Sequence, residues 1–409
     1  MKEERCVVSK SIEFWERCRE VIPAGSSTLA KSPGRLAYGA SPFYAQRAFG
    51  SHFWDIDGNE WLDCEMSMGT VVWGHCRAEV DTAMLTQIQK GVHFSIPSTL
   101  ELDLAERLLG RFPQYQAAKF FTNGADAVYA CVRAARFLSG RIMTMSCEYH
   151  GWLDWASPTY YHCAPRDLGI PDEVLAHHIS CYGGEGLLEQ IYKEGERLAA
   201  VVLCPANYTP ETLTQILAAC RENCIFTIFD EVTSGCRFAK GGATTAYALR
   251  PDYLCLSKGL TNGLPLAVAL GGKEEILVME QLKISNAHAG SHLSLAAALA
   301  CEELLDRAEI WPSWKPQTDE LIEKISSVLA STPGCGLSLS GSAGCFSIIT
   351  PGTQFLQDPF RQFMMRYLAE RRIFSKGYIL FSDAHSQEEI DLTGRVLVEC
   401  IQAYTQANS

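Results

Sequence analysis

Between about residue 101 and residue 305, short and nearly unbroken apolar runs alternate with amphipathic stretches. The apolar runs fall at 142–146, 198–204, 225–229, 253–257 and 266–271, with helical patterns at 125–138, 186–197 and 212–223 among them. Strands without polar alternation are covered on both faces, and helices between them make parallel crossovers. The pattern therefore predicts an α/β domain on a mainly parallel sheet. The flanks read differently. Residues 11–21 are amphipathic, the turn-rich stretch IPAGSSTLAKSPGR follows, and SHFWDIDGNEWLDC sets apolar runs on either side of a DG pair, a hairpin signal. Beyond Trp311 a helical stretch at 315–330 leads through a Gly- and Ser-rich region to a strand at 345–350 and a last helix at about 387–403. Neither flank is large enough to fold alone, so the two are expected to form one small α+β domain. The expected organisation is 1–60 and 311–409 for the two parts of that domain and 61–310 for the large one.

Composition narrows the class. The 409 residues are 47% hydrophobic and 20% charged, which suits a globular chain with a large core and excludes disorder, collagen and coiled coil. Lys and Arg number 35 against 47 Asp and Glu, a net charge of -12 that repels polyanions, so no nucleic-acid partner is expected. There is no run of 18 apolar residues and the start MKEERCVVSK is too charged for a signal peptide. No membrane partner and a cytoplasmic location are the expectations. The 17 cysteines are scattered and contain no C-x-x-C pair, so they read as reduced core residues. His177, His178 and Cys181, or Cys147 and His150, lack a second ligand pair at zinc spacing, and no metal site is expected.

In open α/β sheets the ligand lies beyond the carboxyl ends of the strands. The residues to interrogate are thus Glu148, Tyr149 and His150, then Pro205, then Asp230 and Glu231, then Lys258. FFTNGADAVYACVRAAR adds a Gly-containing turn opening a helix, whose N–H groups and dipole suit a phosphate; an ordinary N-cap by Asn123 is the alternative. Lys258 stands in an apolar segment with no other charge between Asp252 and Lys273. Desolvation there favours the neutral amine that imine formation needs, although a lysine reaching out to solvent would read the same. Asp230 follows CIFTIF, so its carboxylate needs a buried cation: a protonated pyridine nitrogen would serve, as would a cap or an ion pair with Arg237. Tyr149 offers a flat ring for stacking or simple packing. Phosphate turn, stacking aromatic, aspartate and lysine in this order make up the requirement list of pyridoxal 5'-phosphate, PLP.

Several motifs resemble the class III aminotransferases, fold-type I PLP enzymes, in their glutamate-1-semialdehyde 2,1-aminomutase-like branch. WDIDGNEWLDC is similar to the family's W-D-x-D-G-x-x-Y-x-D, TNGADA to N-S-G-T-E-A, YHGWLDW to Y-H-G-x-x-D, DEVTSGCR to D-E-V-x-T-G-x-R, SKGLTNGLPLAV to G-K-x-x-x-x-G-x-P-x-x-A and FSDAHSQEEID to S-x-A-H-x-x-E-D-I-D. The resemblance implies that Lys258 is the Schiff-base lysine and Asp230 the partner of the ring nitrogen. Val232 and Tyr149 would lie on opposite faces of the ring, with Asn123, Gly124 and Ala125 at the phosphate. It implies a homodimer with active sites at the interface. Where the family has a phosphate-binding Thr from the partner subunit, SNAHAGSHLSLAAALA has Ala287. Where the aminomutases grip the substrate carboxylate with an arginine, STLAKSPGR has Lys31, which lacks the bidentate fork. The implied activity is an aminotransferase acting between a small amine or amino acid and a carbonyl compound, in a specialised or sugar- and polysaccharide-related pathway. An intramolecular aminomutase is the alternative, and a fold-type I decarboxylase or epimerase and a non-catalytic binding protein on the same fold are weaker rivals. Lys31, Trp73 and Trp152 are candidate substrate contacts, with core packing the alternative for the tryptophans. His150 and Arg237 carry no settled role.

Overall fold

A computed structural model describes residues 8–156, 168–181, 186–309, 311–332, 334–342, 344–353 and 355–408. Two compact units emerge, one drawn from Met1–Arg77 and Ile310–Ser409, the other from Ala78–Glu309. Among the described residues no helix is long and apolar enough to cross a membrane.

The second unit is built on a seven-stranded sheet. Its strands run, edge to edge, Ala117–Phe121, Ala267–Gly271, Tyr253–Leu256, Phe226–Glu231, Leu198–Leu203, Met143–Ser146 and His178–Ser180. The last five are mutually parallel, and Ala267–Gly271 runs antiparallel to both of its neighbours. Five of the seven match apolar runs legible in the sequence, shifted by a residue or two at their ends. The two outermost strands lack that signal. Ala117–Phe121 is only half-buried over its first three residues and carries Lys119, and His178–Ser180 is three residues long with no fully buried position.

Side-chain parity divides the core. Leu198, Val201, Leu203, Phe229, Leu254 and Leu256 face one cluster; Ala200, Val202, Ile228, Tyr253 and Cys255 face the other, which is closed by the helix Gly124–Ser139 through Ala127, Val128 and Cys131. With period two, the residues that follow Val202 and Ile228 on that second face are Cys204 and Asp230. On Met143–Ser146, Met143, Met145 and Cys147 belong to the first face, which leaves Glu148 for the second. The helix Gly124–Ser139 begins at an Asn123 cap that accepts the Asp126 N–H and ends at Gly140 in the left-handed region.

In the first unit the DG hairpin forms as expected. His52–Asp55 and Glu60–Asp63 pair antiparallel, Gly58 takes φ +88°, and the buried Asp55 accepts the Asn59 and Trp61 N–H groups at 2.8 Å. Ala45–Phe49 and Ile373–Phe374 complete a four-stranded sheet. Phe53, Trp61, Met365 and Ala369 pack over it.

Phe229 is wholly buried between helices and strands of the second unit. Phe229→Ala is expected to lower unfolding free energy by about 3–5 kcal/mol, read from the urea midpoint at unchanged slope.

Candidate functional site

Four adjacent parallel strands end at one edge of the sheet, and each hands on to a polar residue. Ser146 leads through Cys147 to Glu148, Leu203 to Cys204, the third strand ends in Asp230 and Glu231, and Leu256 leads through Ser257 to Lys258. The registers Ser146↔Val202, Leu203↔Phe229 and Asp230↔Cys255 set these ends level.

Asp230 is buried, and its partner is His150, also buried, whose Nδ1 stands 2.7 Å from Oδ2. The backbone N–H of Val232 donates to Oδ1 at 3.0 Å. Both carboxylate oxygens are thus engaged, and neither the N-cap nor an Arg237 ion pair anticipated for Asp230 accounts for it. Burial opposes a charged His150, but Cys204, Asp230 and Glu148 favour it, and the imidazole is held well above its ordinary range. His150 stacks on the buried Trp155 at 6.1 Å. Glu231, one residue on, faces the other way. Its carboxylate accepts from Ser234 Oγ and from the Ala243 and Thr244 N–H groups, so it is a structural group that locks the following turn.

The Gly-containing turn is pressed against this strand end. A Cβ added at Gly124 would lie 2.5 Å from Val232 Cγ2, so only glycine lets the helix start come so close to the residue two beyond Asp230. Gly151, at φ +105°, lies against Ala125, with Cα 3.3 Å from where its own Cβ would be. Asn123, Gly124, Ala125, Gly151 and Val232 are therefore one assembly, with the N-terminus of a 16-residue helix at its edge. The side chain of Asn123 is occupied with Asp126, and Thr122 Oγ1 donates to Asn286 Oδ1 at 2.9 Å, next to Ala287. The N–H groups of Gly124 and Ala125 at the helix start, the glycine cradle and the buried carboxylate fit a phosphorylated, nitrogen-protonated ring.

Lys258 is half-buried and has φ +41°, a conformation costly for a non-glycine residue and common at functional positions. Its Nζ donates to Thr233 Oγ1 at 2.7 Å, three residues past Asp230. Thr233 carries no sequence signal of its own beyond lying in DEVTSGCR. Tyr149 and Trp152 are 42% and 72% exposed, so neither is committed to the core. Lys31 and Trp73 belong to the first unit. Lys31 Nζ donates to Ser67 Oγ at 3.2 Å, within a run where Met66, Ser67 and Met68 all take positive φ. Burial, then the nearby Lys376 ammonium, lower the Lys31 pKa. Trp73 is buried against Trp311, with centroids 4.1 Å apart, which is the packing alternative. Of the histidines considered for metal, His178 spends both ring nitrogens on the Thr144 and Ser146 hydroxyls, at 3.0 and 3.1 Å. Burial, with the His150 and Arg136 charges, lowers its pKa to about 3.

Because Gly151 combines a positive φ with contact at Ala125, Gly151→Ala is expected to cost about 1–3 kcal/mol of stability, measured by denaturant titration. A change within about 0.5 kcal/mol would mean that the turn relaxes freely.

Known proteins share the fold and the family of this chain. The family model for aminotransferase class-III matches residues 36–157 and 187–334. A glutamate-1-semialdehyde 2,1-aminomutase from Syntrophobacter fumaroxidans is 29% identical, over 93% of this chain and 94% of its own. Among solved structures, an omega-transaminase from Sphaerobacter thermophilus superposes with a TM-score of 0.84 at 23% identity, covering 96% of this chain and 97% of that one. A glutamate-1-semialdehyde aminomutase from Pseudomonas aeruginosa does so at 0.81 and 18%, covering 97% and 94%. The buried aspartate, the glycine turn and the strand-end lysine thus stand in a chain that belongs to the class III aminotransferase family.

Proposed function

We propose that the protein is a PLP-dependent aminotransferase that moves an amino group between a small amine or amino acid and a carbonyl compound. The observation that carries this reading is the buried Asp230 carboxylate, braced by His150 at 2.7 Å and by the Val232 N–H, on the same sheet edge as Lys258. PLP supplies an aldehyde that takes up amines and a protonated ring that draws electrons from the substrate carbon. The chain's own groups do the rest. Asp230, braced by His150 at 2.7 Å and by the Val232 N–H, would hold the proton at the ring nitrogen. Val232 and Tyr149 would bound the ring on its two faces, and the turn Asn123, Gly124 and Ala125, through the N–H groups of Gly124 and Ala125, would hold the phosphate. Lys258 Nζ carries the cofactor and, once free, moves a proton at the substrate carbon, with Thr233 Oγ1 fixing where that nitrogen rests.

Transamination is favoured over intramolecular aminomutation by Lys31, a point charge where the aminomutases use a bidentate arginine. Incubation with an amine and no acceptor separates the two. Stoichiometric carbonyl product with an aminated cofactor supports transfer, and repeated turnover to an isomer supports the mutase. The retention of Lys258 and Asp230 argues against a non-catalytic role. Trp152, largely exposed on the second unit, and Lys31 are the proposed substrate contacts. Purified protein is expected to absorb near about 410–430 nm. Lys258→Ala should lose that band and all turnover. Asp230→Asn should keep the fold and lose roughly 10²-fold or more in kcat, and an unaltered rate would sink the assignment.

A homodimer is proposed as well. Leu85, Ile88, Val92, Phe94, Ile96 and Leu102 are all exposed within 18 residues, a density of apolar side chains that supports this reading. Sedimentation should give twice the chain mass, and Ile88→Lys with Ile96→Lys should shift it to the monomer.

A further inference from the structure

We infer that Glu148, His150 and Cys204 form a binding site for a divalent cation of the zinc class, on the inner side of Asp230. One carboxylate oxygen, one imidazole nitrogen and one sulfur lie within 4.8 Å of one another, brought together because Glu148 and Cys204 end neighbouring strands on the same sheet face. The Cys204 backbone N–H donates to Glu148 Oε2 at 3.4 Å, which holds the two strand ends together. The independent observation is His150. Its side chain is wholly buried, Nδ1 is committed to Asp230, and Nε2 has no hydrogen-bond partner. Glu148 Oε2, at 3.7 Å, faces it as an ion-pair partner but lies beyond hydrogen-bonding range, and a bound cation would take the place of the Nε2 proton between them. A buried polar atom left unsatisfied is destabilising, and here it points into a cluster of soft and hard donors.

The donor set selects the ion. Calcium and magnesium take oxygen ligands almost exclusively, whereas nitrogen, thiolate and carboxylate together are characteristic of zinc. Tetrahedral zinc keeps its ligand atoms about 3.3–3.8 Å apart, so the cluster closes by an ångström or so on binding. Asp230 on the far side of the ring supplies the carboxylate that orients a metal-bound histidine. Three protein donors leave a fourth position for water. The spacing of Cys204, 54 residues beyond His150, gives no motif, which is why the sequence reading expects no metal.

The test uses the full chain with its cofactor. After equilibration with Zn²⁺ and gel filtration, elemental analysis should find about one zinc per chain. Replacement by Co²⁺ should give intense tetrahedral ligand-field bands, at longer wavelength than any cofactor absorption, with a sulfur-to-cobalt band in the difference spectrum against the zinc form. Cys204→Ser and Glu148→Gln should each weaken retention by about 10-fold or more, with circular dichroism reporting the fold. No retained metal overturns the site. So does equal retention in both variants, which assigns the ion to exposed thiols such as Cys76 and Cys224. If a variant does not fold, the cobalt spectrum of the unaltered chain decides alone: weak octahedral bands without a sulfur contribution contradict the proposal.

Discussion

A carboxylate at the end of a fully buried strand is the constraint around which this protein is arranged. Phe226–Glu231 is buried from its second residue onward, and an ionised Asp230 is tolerable there only if its charge is compensated. His150, reached from the neighbouring strand but one, provides that compensation, and the Val232 N–H completes it. His150 lies nearly parallel to Trp155, so the side chain that holds the carboxylate is itself packed against a buried ring.

Close approach is the second element. The helix that follows Asn123 starts against Val232, and the segment carrying Tyr149 and His150 passes over Ala125, each contact possible only because glycine stands at 124 and 151. The same two contacts bring the helix start, with the Gly124 and Ala125 N–H groups, to the edge where Asp230 and Lys258 end their strands. The turn, Val232 and the backbone donor to Asp230 thus form one chain of contacts. The positive φ of Lys258 belongs to the same economy of space: it turns the chain sharply after Leu256 and lets Nζ reach Thr233.

Much of this is written along the chain. The buried strands were legible because parallel strands covered on both faces must be apolar throughout, and the polar residues closing them were legible because they break that pattern at one end. Asp230, Lys258 and the glycine turn stand out for this reason. The edge strands Ala117–Phe121 and His178–Ser180 escaped notice because an edge is only partly covered and short. Cys204 escaped because a thiol in an apolar segment reads as packing until its neighbour is known, and Thr233 because a hydroxyl in a turn reads as solvated. Trp73 shows the converse: a large aromatic in a suggestive position turns out to be packed on Trp311.

Local pattern alone thus determined the element types, the parallel sheet, the strand ends that bear chemistry and, through motif order, the family. Only the folded chain decided that His150 rather than Arg237 pairs with Asp230, that Glu231 serves the fold, and that Glu148 and Cys204 converge on the same nitrogen. The reason is one of range. Periodicity and capping are set by residues a few positions apart, whereas His150 meets Asp230 and Cys204 across 80 and 54 positions, contacts that depend on strand order and register, which no short stretch of sequence specifies.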